Sequence, residues 1–190
     1  MQTVKVIAVY GSSRITSADP EYDDAQQVGR LLGAAGYAVM TGGYGGVMEA
    51  ASRGAAEAGA RVIGVTTAAI EALRPQRANQ WVTEEVAQDL FSQRIDYLVR
   101  GAQGFVAMPG GIGTLHEIVA VWEIMRVGEI PPAPIVCYGP YWEEMLGPLL
   151  GTRYLHPDYL PLLRFARTPA AVLDAIQTFS AEGTNGRHSA

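Results

Sequence analysis

The stretch GFVAMPGGIGTLHE, residues 104–117, decides how the rest of the chain is read. An apolar run, Gly104 to Met108, is followed at once by Pro-Gly-Gly-Ile-Gly and then by the start of a helical pattern. A buried strand that gives way to a glycine turn and a helix is the repeating unit of a parallel sheet. Working outward, the same alternation recurs in both directions. VKVIAVYG precedes a helix around residues 22–35, YAVMTGG a helix from about 46 to 58, and RVIGVT follows. Then come QWVTEE, a helix around 85–101, GFVAMPGG, a helix from 114 to about 127, PIVCYG, and helices at about 141–150 and 169–180. The expected fold is α/β: a Rossmann-like, doubly wound parallel sheet with helices on both faces.

Composition bounds what such a domain can do. With 190 residues, 48% of them hydrophobic and 17% charged, the chain can bury a core as one domain, taken as 1–181, with a polar tail at 182–190 expected to fray. The formal net charge of -5, without any basic run, argues against nucleic acid polymers and anionic membranes as partners. No secretory leader and no apolar run of about 18 residues is apparent, so a cytoplasmic location is expected. Cys137 is alone and reads as a small buried side chain. His116, His156 and His188 are scattered and suggest no metal site.

In an open parallel sheet, ligands bind beyond the carboxyl ends of the strands. Three of the loops there are rich in small residues: GSSR at 11–14, TGGYGG at 41–46 and PGGIGT at 109–114. Glycine lets backbone N–H groups approach an anion, and the helix that follows adds partial positive charge. One such loop would be only a tight turn, but three on one edge suggest a phosphate. A P-loop is excluded because G-x-x-x-x-G-K-S/T is missing and the only lysine is Lys5. No complete G-x-G-x-x-G follows the first strand, which favours a mononucleotide over a dinucleotide.

Thr114 and Glu117 admit two readings. Thr-x-x-Glu is a capping box, in which both side chains serve only the helix N-terminus. Glu117 would equally sit in the first turn of a helix that faces the phosphate, within reach of an attached sugar. His116 points about 100° away around the helix and need not share its task.

PGGIGTLHE matches P-G-G-x-G-T-x-x-E, the signature of the LOG family of cytokinin riboside 5′-monophosphate phosphoribohydrolases, long mislabelled lysine decarboxylases. GSS after the first strand, TGGYGGVMEAASRGAAEAGARVIGV at 41–65, and PYWEEML with LHPDYL downstream extend the resemblance over most of the chain. A decarboxylase using pyridoxal phosphate would need a Schiff-base lysine, and Lys5, placed in an apolar strand, is a poor one.

The resemblance implies hydrolysis of an N-glycosidic bond with no cofactor and no metal, in a homodimer whose active site lies close to the subunit interface. It assigns catalysis to Glu117 and to Arg94 in LFSQRIDYLV, where the residues alone would suggest a solvated arginine paired with Asp96 or Glu85. The family usually reads Arg-Lys there, and Ile95 in the lysine position removes one cation. The phosphate is expected on Gly110, Gly111, Gly113 and Thr114, completed by Gly43, Gly45 and Gly46. Ser12, Ser13, Glu49 and Met108 are further candidates for substrate contact, and 66–81 is a candidate lid. IVAVWEIMRVG, residues 118–128, is apolar around much of its circumference, as a helix buried on two sides would be. The competing function is a nucleotide or molybdenum-cofactor-type carrier, or a sensor, that uses the same cradle without chemistry.

Overall fold

A computed structural model describes residues 4–73 and 76–185. The described residues run β1 (Val6–Tyr10), α1 (Pro20–Ala34), β2 (Ala38–Thr41), α2 (Val47–Glu57), β3 (Val62–Thr67), α3 (Ala68–Leu73), β4 (Glu84–Gln88) and α4 (Phe91–Arg100). They continue through β5 (Phe105–Ala107), α5 (Ile112–Arg126), β6 (Ile135–Tyr138), α6 (Pro140–Leu150), a 3-10 helix (Pro157–Leu162), β7 (Leu163–Ala166) and α7 (Pro169–Asn185). The strands form one parallel sheet in the order β4-β3-β2-β1-β5-β6-β7. The expected α/β, Rossmann-like fold is therefore the one observed.

Successive residues of a strand face opposite sides, and here both sides are covered. Ala8 and Tyr10 of β1 and Phe105 and Ala107 of β5 pack with Leu98 of α4, Ile118 of α5 and Trp142 of α6. Ile7, Val9 and Val106 pack on the other side with Val28 and Leu32 of α1, Ala51 of α2 and Ile176 of α7. Uninterrupted apolar strands are thus the sequence trace of a sheet between two helical layers. The direction of winding reverses between β1 and β5, and their carboxyl ends part there.

Several boundaries depart from expectation. The strand anticipated at 80–85 begins only at Glu84, because Asn79 turns the chain first: its Oδ1 accepts from Trp81 N–H at 3.1 Å and its C=O from Val82 N–H at 3.1 Å. Residues 84–88 then pair with β3 as an edge strand of alternating exposure, so the following helix starts at Phe91 and not near 85. β7 and α3 carry no clear pattern of their own; β7 is defined by its register on β6, with Ile135 opposite Leu163. The last helix continues to Asn185, beyond the expected 180, and residues 186–190 of the tail lie outside the described residues. Lys5 stands exposed just ahead of β1, not within a strand. No described helix is long and apolar enough to cross a membrane.

Candidate functional site

A cleft of about 590 Å³ opens where β1 and β5 part. Its walls come from the β1–α1 loop (Gly11, Ser12, Ser13, Arg14), the β2–α2 region (Gly42, Tyr44, Met48), α3 and the residues after it (Ile70, Leu73, Gln76), α4 (Phe91, Arg94) and α5 (Gly111 to Thr114, Glu117).

The capping box is not formed. α5 starts early, with Gly111 in the N-cap position at φ -94° and ψ -153°, so Thr114 lies inside the first turn and Glu117 in the second. The first intrahelical bond runs from Leu115 N–H to Gly111 C=O at 3.0 Å. The N–H groups of Ile112, Gly113 and Thr114 consequently have no intrahelical acceptor, and these residues line the cleft. Such a helix end suits an anion.

Arg94 is 4% exposed, which overturns the reading of it as a solvated side chain paired with Asp96 or Glu85. Asp96 instead accepts from Arg100 Nε at 2.6 Å, and Glu85 from Thr66 Oγ1 at 2.8 Å. Arg94 Nε donates to Val65 C=O at 2.7 Å and Nη2 to Gly42 C=O at 3.3 Å, while Nη1 stands 3.8 Å from Glu117 Oε1. Gly42 makes this possible, since a Cβ built there would lie 1.9 Å from Nη2. Ile95, one residue on, turns into the core and does not line the cleft.

Glu117 is 9% exposed. Burial pushes its carboxyl up to about 7, against the opposing pull of the Arg94 charge. A carboxyl held there is partly protonated at neutral pH, the range in which acid–base work is effective. Tyr10, fully buried below, donates its hydroxyl proton to Leu98 C=O at 3.2 Å; burial first, and the Glu117 charge second, raise its phenol well above the ordinary value.

The other candidates divide between the cleft and its scaffold. Ser12 and Ser13 line the cleft, and Ser12 also fastens three loops: its N–H donates to Pro109 C=O at 3.1 Å and its C=O accepts from Val47 N–H at 2.9 Å. Gly46, at φ 71°, permits this approach, because a Cβ there would meet Ser12 O at 2.3 Å. Gly43, Gly45 and Gly46 are not among the residues lining the cleft; neither are Glu49, Met108 and Gly110. Glu49 faces Tyr22 of α1, whose phenol is raised by burial and then by that charge. Met108 is fully buried, with its C=O accepting from Trp142 Nε1 at 3.1 Å, and Gly110 C=O accepts from Tyr141 Oη at 2.9 Å. His116 stacks on Phe91 at 5.9 Å. Residues the sequence reading missed include Arg14, Gly42, Tyr44, Met48, Phe91 and Ile112; Tyr44, the sole aromatic within a glycine loop, carried a signal.

α5 buries a single stripe, from Thr114 and Glu117 through Ile118, Val121 and Trp122 to Met125. Val119, on its other side, is 47% exposed in this chain.

This arrangement defines a Rossmann-like α/β protein with a cleft at the switch point of its sheet. The model of the family described as “Possible lysine decarboxylase” matches residues 48–176, and the chain belongs to that family, the LOG family. The chain is 33% identical over 129 residues to a pyrimidine/purine nucleotide 5′-monophosphate nucleosidase of Escherichia coli K12, covering 63% of this chain and 28% of that protein. It is 27% identical over 165 residues to a probable cytokinin riboside 5′-monophosphate phosphoribohydrolase of Oryza sativa subsp. japonica, covering 83% of this chain and 64% of that one. The chain thus spans less than two thirds of either relative's length. Among solved structures, a molybdenum cofactor binding protein of Rippkaea orientalis shares the fold at a TM-score of 0.74 and 21% identity, over 95% of this chain and 99% of that one.

The decarboxylase in the family's description finds no support in the site. Lys5, the only lysine, precedes β1 and lies four residues along the strand from Val9 of the cleft wall, about 13 Å at roughly 3.3 Å per residue.

Proposed function

We propose that the protein hydrolyses the N-glycosidic bond of a nucleoside 5′-monophosphate to free base and ribose 5-phosphate. The observation that carries this reading is the buried Glu117 carboxyl, raised to about 7 and 3.8 Å from the Arg94 guanidinium, on the wall of a cleft that also holds the free N-terminus of α5. The family membership and the printed activities of the bacterial and plant relatives support it.

In this reading the 5′-phosphate rests on the N–H groups of Ile112, Gly113 and Thr114 and acts as an anchor that does not react. Departure of the base, with the bonding pair moving from C1′ to the base nitrogen, leaves oxocarbenium character on the ribose. The Glu117 carboxylate stabilises that charge, orients the water whose oxygen forms the new bond to C1′ and accepts the proton that water loses, while the departing base nitrogen takes a proton from solvent. Arg94 opposes the burial of Glu117 and so keeps part of it ionised at neutral pH. The base lies against Met48, Ile70, Leu73 and Phe91 of the cleft wall. A homodimer is part of the proposal, with Val119 of α5 and the adjoining Leu149 and Tyr154, all exposed here, as the covered surface.

The test is chromatography of purified protein incubated with a panel of nucleoside 5′-monophosphates, including AMP and a cytokinin riboside monophosphate, and with the matching nucleosides. Free base released from the monophosphates alone, and lost in Glu117→Gln, is the expected result. Nucleotides returned intact, yet bound with measurable heat, would instead favour a carrier or sensor.

A further inference from the structure

Tyr44 touches both Arg94 of α4 and Thr67 at the end of β3. It is 3% exposed, and its ring centre lies 5.9 Å from the Arg94 guanidinium carbon, within range of a cation–π contact. Its hydroxyl accepts from Thr67 N–H at 2.9 Å. The hydroxyl proton has two acceptors to choose from, Thr67 C=O at 3.2 Å and Glu71 Oε1 at 3.5 Å. Thr67 ends β3 and Glu71 belongs to α3, the helix whose Ile70 and Leu73 line the cleft. Beyond α3 the chain returns to the same loop. Asn79 Nδ2 donates to the C=O groups of Gly43 and Tyr44 at 3.0 Å each, and Asn79 N–H donates to Gly43 C=O at 2.8 Å.

Arg94 has need of such a support. At 3.8 Å its contact with Glu117 is too long for a hydrogen bond, so the two are not fixed by each other. What holds the guanidinium is the pair of carbonyls, Val65 and Gly42, and the ring of Tyr44.

We propose that Tyr44 is a positioning residue: its ring holds Arg94 beside Glu117, and its hydroxyl ties that pair to Thr67 at the junction of β3 and α3, the helix whose Ile70 and Leu73 line the cleft. The role in turnover rests on the proposed function, while the geometric role does not. Ring and hydroxyl carry separate duties, so two substitutions separate them. Tyr44→Phe keeps the ring over Arg94 and cuts the tie to the β3–α3 junction. Tyr44→Leu removes the ring.

The experiment is a pH titration of the free protein carrying 13C at the glutamate side-chain carboxyls, with the Glu117 resonance assigned by its loss in Glu117→Gln. The charged and titratable groups facing Glu117 are Arg94 from α4 and Tyr10 from β1, and Tyr10 stays neutral throughout the range. Wild type and Tyr44→Phe are expected to share a midpoint near 7. Tyr44→Leu is expected to move it upward by about one unit, because a displaced Arg94 no longer offsets the burial of the carboxylate. In turnover, Tyr44→Phe is expected to raise KM with kcat retained, and Tyr44→Leu to lower kcat. A midpoint in Tyr44→Leu that is unchanged or lowered overturns the proposal. Should Tyr44→Leu fail to fold, Tyr44→Met fills the same space flexibly and is titrated instead. An upward shift in a protein that turns over no nucleotide would sink the proposed activity and leave the positioning role intact.

Discussion

Replacing Glu117 by Gln should stabilise the protein while abolishing the proposed hydrolysis, and the stabilisation should depend on pH. Glutamine mimics the protonated carboxyl at nearly constant shape, so it removes only the cost of ionising a buried group. The folded carboxyl titrates near 7, the unfolded one near 4.5. Between those values the native state holds the proton that the unfolded state has released, and wild-type stability falls as pH rises. Below about 4.5 both states are neutral and no penalty applies; above about 7 it is complete. A difference of about 2.5 units at 1.36 kcal/mol each gives a ceiling of about 3 kcal/mol. At pH 5 the expected advantage of Glu117→Gln is about 1 kcal/mol, and at pH 8.5 about 3 kcal/mol. Urea unfolding of both proteins at the two pH values measures it. An equal difference at both, or a variant less stable at pH 8.5, would refute the claim that Glu117 is held buried against its charge. Stability withheld in this way is the expected signature of a group retained for chemistry.

Two further substitutions test the scaffold around that group. Gly42→Ala brings a Cβ to 1.9 Å from Arg94 Nη2 and 2.7 Å from Met48 Sδ, so the guanidinium must move; a folded protein with kcat reduced about 100-fold is expected, and full activity by the same chromatographic assay would show that Arg94 need not stay where it is. Trp142→Phe deletes the 3.1 Å bond to Met108 C=O beneath the PGGIGT loop and should cost about 1–3 kcal/mol in urea unfolding; a loss under about 0.5 kcal/mol would mean the carbonyl finds another donor.

Much of the fold could be read from residue order. Val6–Tyr10, Ala38–Thr41, Val62–Thr67, Phe105–Ala107 and Ile135–Tyr138 are apolar on both faces, and a strand buried on both faces belongs inside a parallel sheet. Edges were harder. Glu84–Gln88 alternates in exposure and Leu163–Ala166 spans four residues, so each takes its place from a neighbouring strand and not from its own composition. The start of α5 departs from expectation for a similar reason. Thr-x-x-Glu satisfies a capping rule locally, but the glycine turn closes soon enough for the helix to begin at Ile112.

The sequence by itself determined that this chain makes a doubly wound sheet, that its glycine loops gather on one edge, and that PGGIGTLHE marks the family, because periodicity and turn chemistry are local properties. Tertiary structure alone decided the geometry and electrostatics of the cleft. Arg94 and Glu117 stand on different helices, and nothing in either segment states that one will be sunk against Val65 and Gly42 while the other loses water beside it. The pKa of a carboxyl is set by the solvent it has lost and the charges it faces, and both are properties of the packed molecule.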